Sequence, residues 1–459
     1  MNSTQAAVGI VAAALIGGAV GWWATTTTVT PTTTTASTPS TPTIGPVEIQ
    51  WWHAHGGALG ERVNEIADNF NRSQSDYKVT AVFKGSYAET MTAGVAAFRA
   101  GKAPHILQVF EVGTATMIGA KGAVRPIHEV MTEAKVSFDP NAYLPAVKGY
   151  YSTTDGKMLS MPFASSTPVL WFNKDAFKKA GLNPNAPPKT WPEVGEAAKK
   201  LVAAGYTCGF STAWITWIHL ENFSAWHNVP FGTQENGFGG FNTEYTFNGP
   251  AQVKHIQQLA DWQKDKVFVY GGRDNLGNAK FVSGECPMYT ESSAGYASFK
   301  AGAKFEFGVS TLPYWPDVQG APQNTIIGGN SLWVMAGHKP ADYKGVAEFM
   351  RFLSLPMVQA YWHAYTGYVP ITTAAYDMMK SVKFYNDYPG RDIPIIELGG
   401  KAPTANSKGL RFGYLPQARD AMYEELENIF TGKKTAKEGL DNAVKRGNEL
   451  LRKFEAEQK

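Results

Sequence analysis

The sequence predicts an α/β fold with mainly parallel sheets flanked by helices, and two observations carry that expectation. Strand-length apolar runs alternate with helix-length amphipathic ones through much of the chain. Several helical runs also open on recognisable start signals, so the alternation is punctuated as well as periodic. Once the first 45 of the 459 residues are set aside, the remainder is long enough for two domains of ordinary size.

The elements follow in order. Residues 47–52 have strand length, with Val47, Ile49 and Trp51 on one face. Residues 58–71 carry Leu59, Val63, Ile66, Ala67 and Phe70 at helical spacing. Residues 77–83 alternate again, with Val79, Ala81 and Phe83 on one face. A helix over 87–100 then leads to a short apolar run at 106–110, completing a βαβ pattern. Thr190 and Glu193 form a capping box that starts a helix through Val202. Pro250 opens another, with Val253, Ile256 and Leu259 on its buried side. The C-terminal stretch reads as helices over 417–430 and 436–454, the second with Leu440, Ala443, Val444, Leu450 and Leu451 on one face. No internal repeat interrupts the series.

Composition narrows the function classes. Charged residues make up 18% and apolar residues 44%, the balance of a folded globular chain. The net charge is only +3 with no long basic run, so no nucleic-acid partner is expected. The 13 Trp and 20 Tyr exceed what a core needs and suit a site that stacks on sugars or polyols. Cys208 and Cys286 lack the close pairing of a zinc finger. Two readings of them stay open: a disulfide closing a loop of roughly 80 residues and adding about 4 kcal/mol, or two buried free thiols.

The N-terminus points outside the cytoplasm. Residues 6–24, AAVGIVAAALIGGAVGWWA, form an uncharged apolar run long enough to span a bilayer. A Thr/Pro/Ser tract follows and reads as an extended stalk. No Lys or Arg precedes Arg62, so residues 1–24 are expected to act as an uncleaved anchor rather than a cleaved signal, with residues 25–45 as the stalk.

Catalytic motifs are scarce. There is no phosphate-binding G-x-x-x-x-G-K-[ST], no G-x-S-x-G elbow and no H-E-x-x-H. His53 and His55 make an H-x-H pair expected to lie in a surface loop, and the 274–285 segment lacks the oxygen ligand and glycine of a calcium loop. No metal, no cofactor and no enzymatic activity are expected; a secreted glycoside hydrolase is the enzyme alternative.

Several long runs carry a family resemblance. They are KGSYAETMTAGVAAFRAGKAPHILQVFEVGTATM (84–117), MPFASSTPVLWFNKDAFKKAGL (161–182), WITWIHLENFSAW (214–226), APQNTIIGGNSLWVM (321–335), TGYVPIT (366–372) and KGLRFGYLPQARD (408–420). In this order, across residues 51–454, the chain resembles the glycerol-3-phosphate-binding proteins of bacterial ABC importers, within the maltose-binding-protein-like group of solute-binding proteins. The anchor and stalk depart from that family's pattern of a cleaved signal.

The resemblance implies a two-lobed periplasmic-binding-protein-like fold with a ligand cleft. It places one lobe at 46–160 plus 312–365 and the other at 161–311 plus 366–459. It implies a monomer that passes sn-glycerol 3-phosphate, or a related glycerophosphoester, to ABC permease subunits and their ATPase. A glycerophosphodiester such as glycerophosphocholine, or a di- or oligosaccharide, is the alternative ligand. The ligand positions that carry over are Tyr87, Glu111, Ser166, Trp214, Trp217, Ser292, Gly329, Tyr368 and Arg419. Arg419 would take the phosphate and Glu111 the glycerol hydroxyls at the opposite end, with the tryptophans as the wall between. Arg411 is the reserve cation.

Overall fold

The computed structural model describes residues 45–459, so the anchor and nearly all of the stalk fall outside the described residues. Among the described residues, no helix is long and apolar enough to cross a membrane.

Two sheets organise the chain. The first is six-stranded, built from β1 (Val47–His53), β2 (Tyr77–Phe83), β3 (Ile106–Phe110), β4 (Val124–Arg125), β5 (Met161–Ser166) and β11 (Gly328–Met335). The second is five-stranded and contains β6 (Pro168–Asn173), β7 (Phe210–Thr212), β8 (Phe268–Tyr270), β9 (Met288–Ser292) and β10 (Phe307–Ser310). Helices flank both. The helix Gly57–Ser73 buries Val63, Ile66, Ala67 and Phe70 against Ile49, Trp51 and Val79 of the first sheet, as its apolar stripe requires. Helix Tyr87–Arg99 opens on a capping box between Ser86 and Glu89, and helix Trp191–Ala203 on the expected one between Thr190 and Glu193.

The pairing is more mixed than the expectation of mainly parallel sheets. β1 runs parallel to β2 and β3, and β7 runs parallel to β8 and β9. β11 is antiparallel to β3, β4 and β5, while β6 is antiparallel to β9 and β10. The physical reason is the connectivity: β6 and β11 enter their sheets from the other one, at the end where the parallel strands finish, so they run back against their neighbours.

Strand pairing and bridges show which segments pack with each sheet. Met161–Ser166 pairs with β11 in the first sheet, and Pro168–Asn173 pairs with β9 in the second. Tyr314 bridges Thr190, Gln323 N donates to Trp226 O, and the chain then enters the first sheet as β11. Thr372 bridges Tyr143, and helix Thr373–Ser381 packs on helix Pro356–Thr366. The Glu397 carboxylate accepts from Leu312 N at 2.5 Å and from Thr167 Oγ1 at 3.4 Å, tying the β5–β6 turn to the segment that follows β10.

Cys208 and Cys286 precede the adjacent parallel strands β7 and β9, where Phe210 faces Met288. Both are fully buried, their Cα atoms are 4.9 Å apart and their sulfurs are joined across 78 residues of chain. Replacing both with Ala is expected to cost about 2–4 kcal/mol by freeing the unfolded chain. Urea denaturation of the oxidised protein and the double variant checks this; coincident midpoints would contradict it.

Candidate ligand-binding site

A cavity of about 100 Å³ opens between the two sheets, and every ligand candidate named from sequence lines it. Its position follows from topology. Tyr87 follows β2, Glu111 follows β3, and Ser166 ends β5; β11, running the other way, starts beside them, so Gly328 faces Ser166 and Gly329 faces Ser165. From the second sheet, Ser292 ends β9 and Trp214 lies just beyond β7. Strand ends that converge in this way are where open α/β sheets bind ligands.

Several positions are fixed by backbone geometry. Gly329 has φ +98°, and a Cβ there would lie 2.1 Å from the Ala164 carbonyl oxygen. A Cβ on Gly328 would meet the Trp217 ring at 2.3 Å. The two glycines thus let β11 close on β5 and the Trp217 indole approach the strand. Trp214 adopts the left-handed φ of +43°, a costly conformation for a bulky residue, and its N–H donates to Asp274 O at 2.7 Å. A π-helical segment, Trp217–Asn222, follows and carries both Trp217 and Glu221 inward.

The first-sheet wall is aromatic and hydroxyl-rich. Tyr87 stacks on Phe110 at 5.5 Å, and Tyr368 stacks on Trp362 at 5.6 Å. The two tyrosine hydroxyls lie 3.4 Å apart, and Asn330 Nδ2 donates to Tyr87 Oη at 3.0 Å. Burial pushes the Tyr87 phenol up to about 12, so it stays a hydrogen-bond donor at neutral pH. Beneath them, His55 Nε2 accepts from Gln108 Nε2 and Asn330 Nδ2 at 2.7 and 3.2 Å. His53 and His55 are buried rather than in a surface loop, and burial, with His53 as neighbour, lowers the His55 imidazole to about 3.

The electrostatic centre differs from the expected arrangement. Arg419, from helix Leu415–Phe430, donates from Nε and Nη2 to the two Glu221 carboxylate oxygens, both at 2.7 Å, and from Nη2 to Glu111 Oε1, also at 2.7 Å. Cation and carboxylate therefore share one end of the cavity instead of occupying opposite ends. All three groups are buried, and in a low-dielectric cleft an unpaired guanidinium and two unpaired carboxylates would each be costly, so they pair. Burial opposes the Arg419 charge, but the Glu221 and Glu111 carboxylates raise its pKa well above the ordinary range. Burial likewise raises the Glu111 carboxyl, against the pull of Arg419. Arg419 Nη1 makes no hydrogen bond among the described residues.

Arg411, the reserve cation, does not line the cavity. Its Nη2 donates to the carbonyls of Tyr150 and Ser152 at 2.7 and 2.9 Å, and the guanidinium covers Phe238 at 4.2 Å. Residues not identified from sequence join the site: Glu221, Glu291 and Asn330, with Asn275 and Asn278 on the rim. Glu221 lies within the WITWIHLENFSAW run, only four positions beyond Trp217, and that spacing was the available signal.

For a metal, the one candidate cluster among the described residues is His105, His338 and Asp342, away from the cavity lining. His105 Nδ1 accepts the Gln50 N–H at 3.0 Å, so its proton sits on Nε2, the atom facing Asp342. That tautomer is the wrong one for coordination.

A two-lobed α/β frame with a buried polar cavity at its strand ends defines a binding protein, and the comparisons name its class. The chain belongs to the bacterial extracellular solute-binding protein family, which it matches over residues 65–391. It is therefore an extracytoplasmic protein. Among individual relatives, it is 51% identical over 417 residues to the sn-glycerol-3-phosphate-binding periplasmic protein UgpB of Yersinia enterocolitica, covering 91% of this chain and 95% of that one. It is 50% identical over 418 residues to the protein of the same name from Brucella abortus, covering 91% and 96%. Its fold is shared with UgpB from Mycobacterium tuberculosis, solved in complex with glycerophosphocholine, at a TM-score of 0.75 and 21% identity over 89% of this chain and 99% of that one.

Proposed function

We propose that this chain captures sn-glycerol 3-phosphate between its lobes and delivers it to the permease and ATPase subunits of an ABC importer. The observation that carries the reading is the convergence on one inter-lobe cavity of Tyr87, Glu111, Ser166 and Tyr368 from one side, with Trp214, Trp217, Ser292 and Arg419 from the other. The relatives that share half of its residues bear that ligand in their names. The lobes comprise residues 46–166 with 328–390, and 167–327 with 391–459. Arg419 Nη1, the Tyr87 and Tyr368 hydroxyls and the serines supply donors for phosphate, and Glu111 accepts from a glycerol hydroxyl while holding Arg419 in place. Ligand bridging both lobes favours the closed arrangement, and no bond is made or broken. The N-terminal apolar run tethers the protein at the outer face of the membrane.

Calorimetric titration with glycerol 3-phosphate, maltose and glycerophosphocholine tests the ligand. One-site binding of glycerol 3-phosphate, recovered unchanged after incubation, supports the reading. Binding of maltose alone overturns it.

A further inference from the structure

The second lobe contributes another carboxyl to the cavity. Glu291, in β9 beside Ser292, lines it and is only 2% exposed. Its Oε1 accepts the Ser292 N–H at 2.7 Å. Its Oε2 is buried and has no hydrogen-bond partner among the described residues. Trp214 and Asn278 stand beside the carboxyl, and the titratable groups nearest it are Tyr289 and Tyr368. Unlike Glu111 and Glu221, it has no ion-pair partner among the described residues.

A carboxylate without a cation is disfavoured in such a place, and burial pushes the Glu291 carboxyl up to about 8, against the Ser292 N–H and the Trp214 and Asn278 side chains, which favour its charged form. It therefore carries a proton at neutral pH. Because Oε1 is already accepting, the proton belongs on Oε2, where the protein offers no acceptor. Trp217 Nε1, on the same wall, is a second buried donor without an acceptor. Both donors end at a cavity whose guanidinium is largely engaged by two carboxylates. An anionic ligand here depends on neutral donors.

We propose that Glu291 is a ligand-contacting specificity group, its Oε2–H donating a hydrogen bond to an anionic oxygen of the bound glycerophosphoester. The inference rests on the ligand class proposed above. Ionisation of Glu291 removes the donor and sets a negative charge against the ligand, so affinity falls as pH rises through about 8, approaching about tenfold per pH unit beyond it. Of the other groups facing the site, the Glu111 carboxyl is also raised by burial, against the pull of its partner Arg419. Tyr87, Tyr289 and Tyr368 are raised by burial and stay protonated, His55 stays neutral, and Arg419 stays cationic. The second ionisation of a phosphomonoester, near pH 6, is complete below it.

The test is titration of the whole protein with glycerol 3-phosphate at pH 7, 8 and 9.5, alongside Glu291→Gln and Glu291→Ala. The wild type is expected to weaken about tenfold or more between pH 8 and 9.5. Glu291→Gln, which keeps a donor but cannot ionise, is expected to bind a few-fold more weakly at pH 7 and to show a flat profile. Glu291→Ala is expected to lose about tenfold or more at pH 7. A slope that persists in Glu291→Gln, alanine binding equal to wild type, or affinity that rises with pH overturns the inference. If wild type fails to bind glycerol 3-phosphate at every pH, the ligand reading itself fails, and this inference with it.

Discussion

Replacing Arg419 with Ala is expected to destabilise the protein by about 3–5 kcal/mol and to abolish ligand binding. The guanidinium holds Glu221 through two hydrogen bonds and Glu111 through a third, each at 2.7 Å. Its removal leaves two buried carboxylates without a counter-charge, so most of the loss is the cost of stranding them. Glu111 follows β3 of the first sheet, whereas Glu221 lies on the π-helical segment after β7 of the second and Arg419 on helix Leu415–Phe430, so the variant also loses an ion pair between separate elements of the cavity. Arg419→Lys separates the two effects: it keeps a charge but cannot grip Glu221 with a fork. It is expected to recover much of the stability and little of the affinity. Thermal melts and calorimetry on both variants check this; an Arg419→Ala protein with wild-type affinity would remove the residue from the site.

Gly329→Ala carries the other large expected effect, a loss of about 3 kcal/mol with the cleft deformed. Two costs combine. The φ of +98° is strained for any L side chain, and the new methyl would lie 2.1 Å from a backbone oxygen of β5, which has no rotamer to escape through. β11 must then move away from β5, taking Gly328 and the Trp217 seat with it. Gly122→Ala serves as the control, since Gly122 has φ +76° but open space around its Cα. It is expected to cost about 1 kcal/mol. Equal destabilisation in the two variants would show that the close approach to Ala164 contributes nothing.

Local elements were legible because their causes are local. The capping box at Thr190 and Glu193, the Pro250 start and the alternation in 77–83 each depend on a few neighbouring residues. The long-range contacts that hold each segment to its sheet were not legible. Tyr314 and Thr372 remain with their lobes through bridges to Thr190 and Tyr143, contacts that no local pattern encodes. In the site, the ligand candidates came from resemblance, and each residue alone would have read as an ordinary turn, core or surface position. The pairing of Glu111 with Arg419 was missed because 308 residues separate them. Physical reasoning about an isolated anionic ligand put the two at opposite ends; the folded cleft instead pairs its own charges first, and Glu221 is the reason it can.

The joined cysteines bear on how the cleft behaves. They fasten β7 and β9 at the ends where those strands begin, while Trp214 and Ser292 project from the ends where they finish. The staple and the ligand wall are thus opposite ends of one short lever. With the root clamped, the two strands cannot slide along each other, and the indole and the serine keep a fixed separation while the lobes open and shut. Under reducing conditions the same pair would be held by backbone hydrogen bonds and the Thr212–Thr290 hydroxyl contact, without a covalent clamp at the root, and shear there would be felt, a few residues on, as play in the spacing of the ligand's second wall.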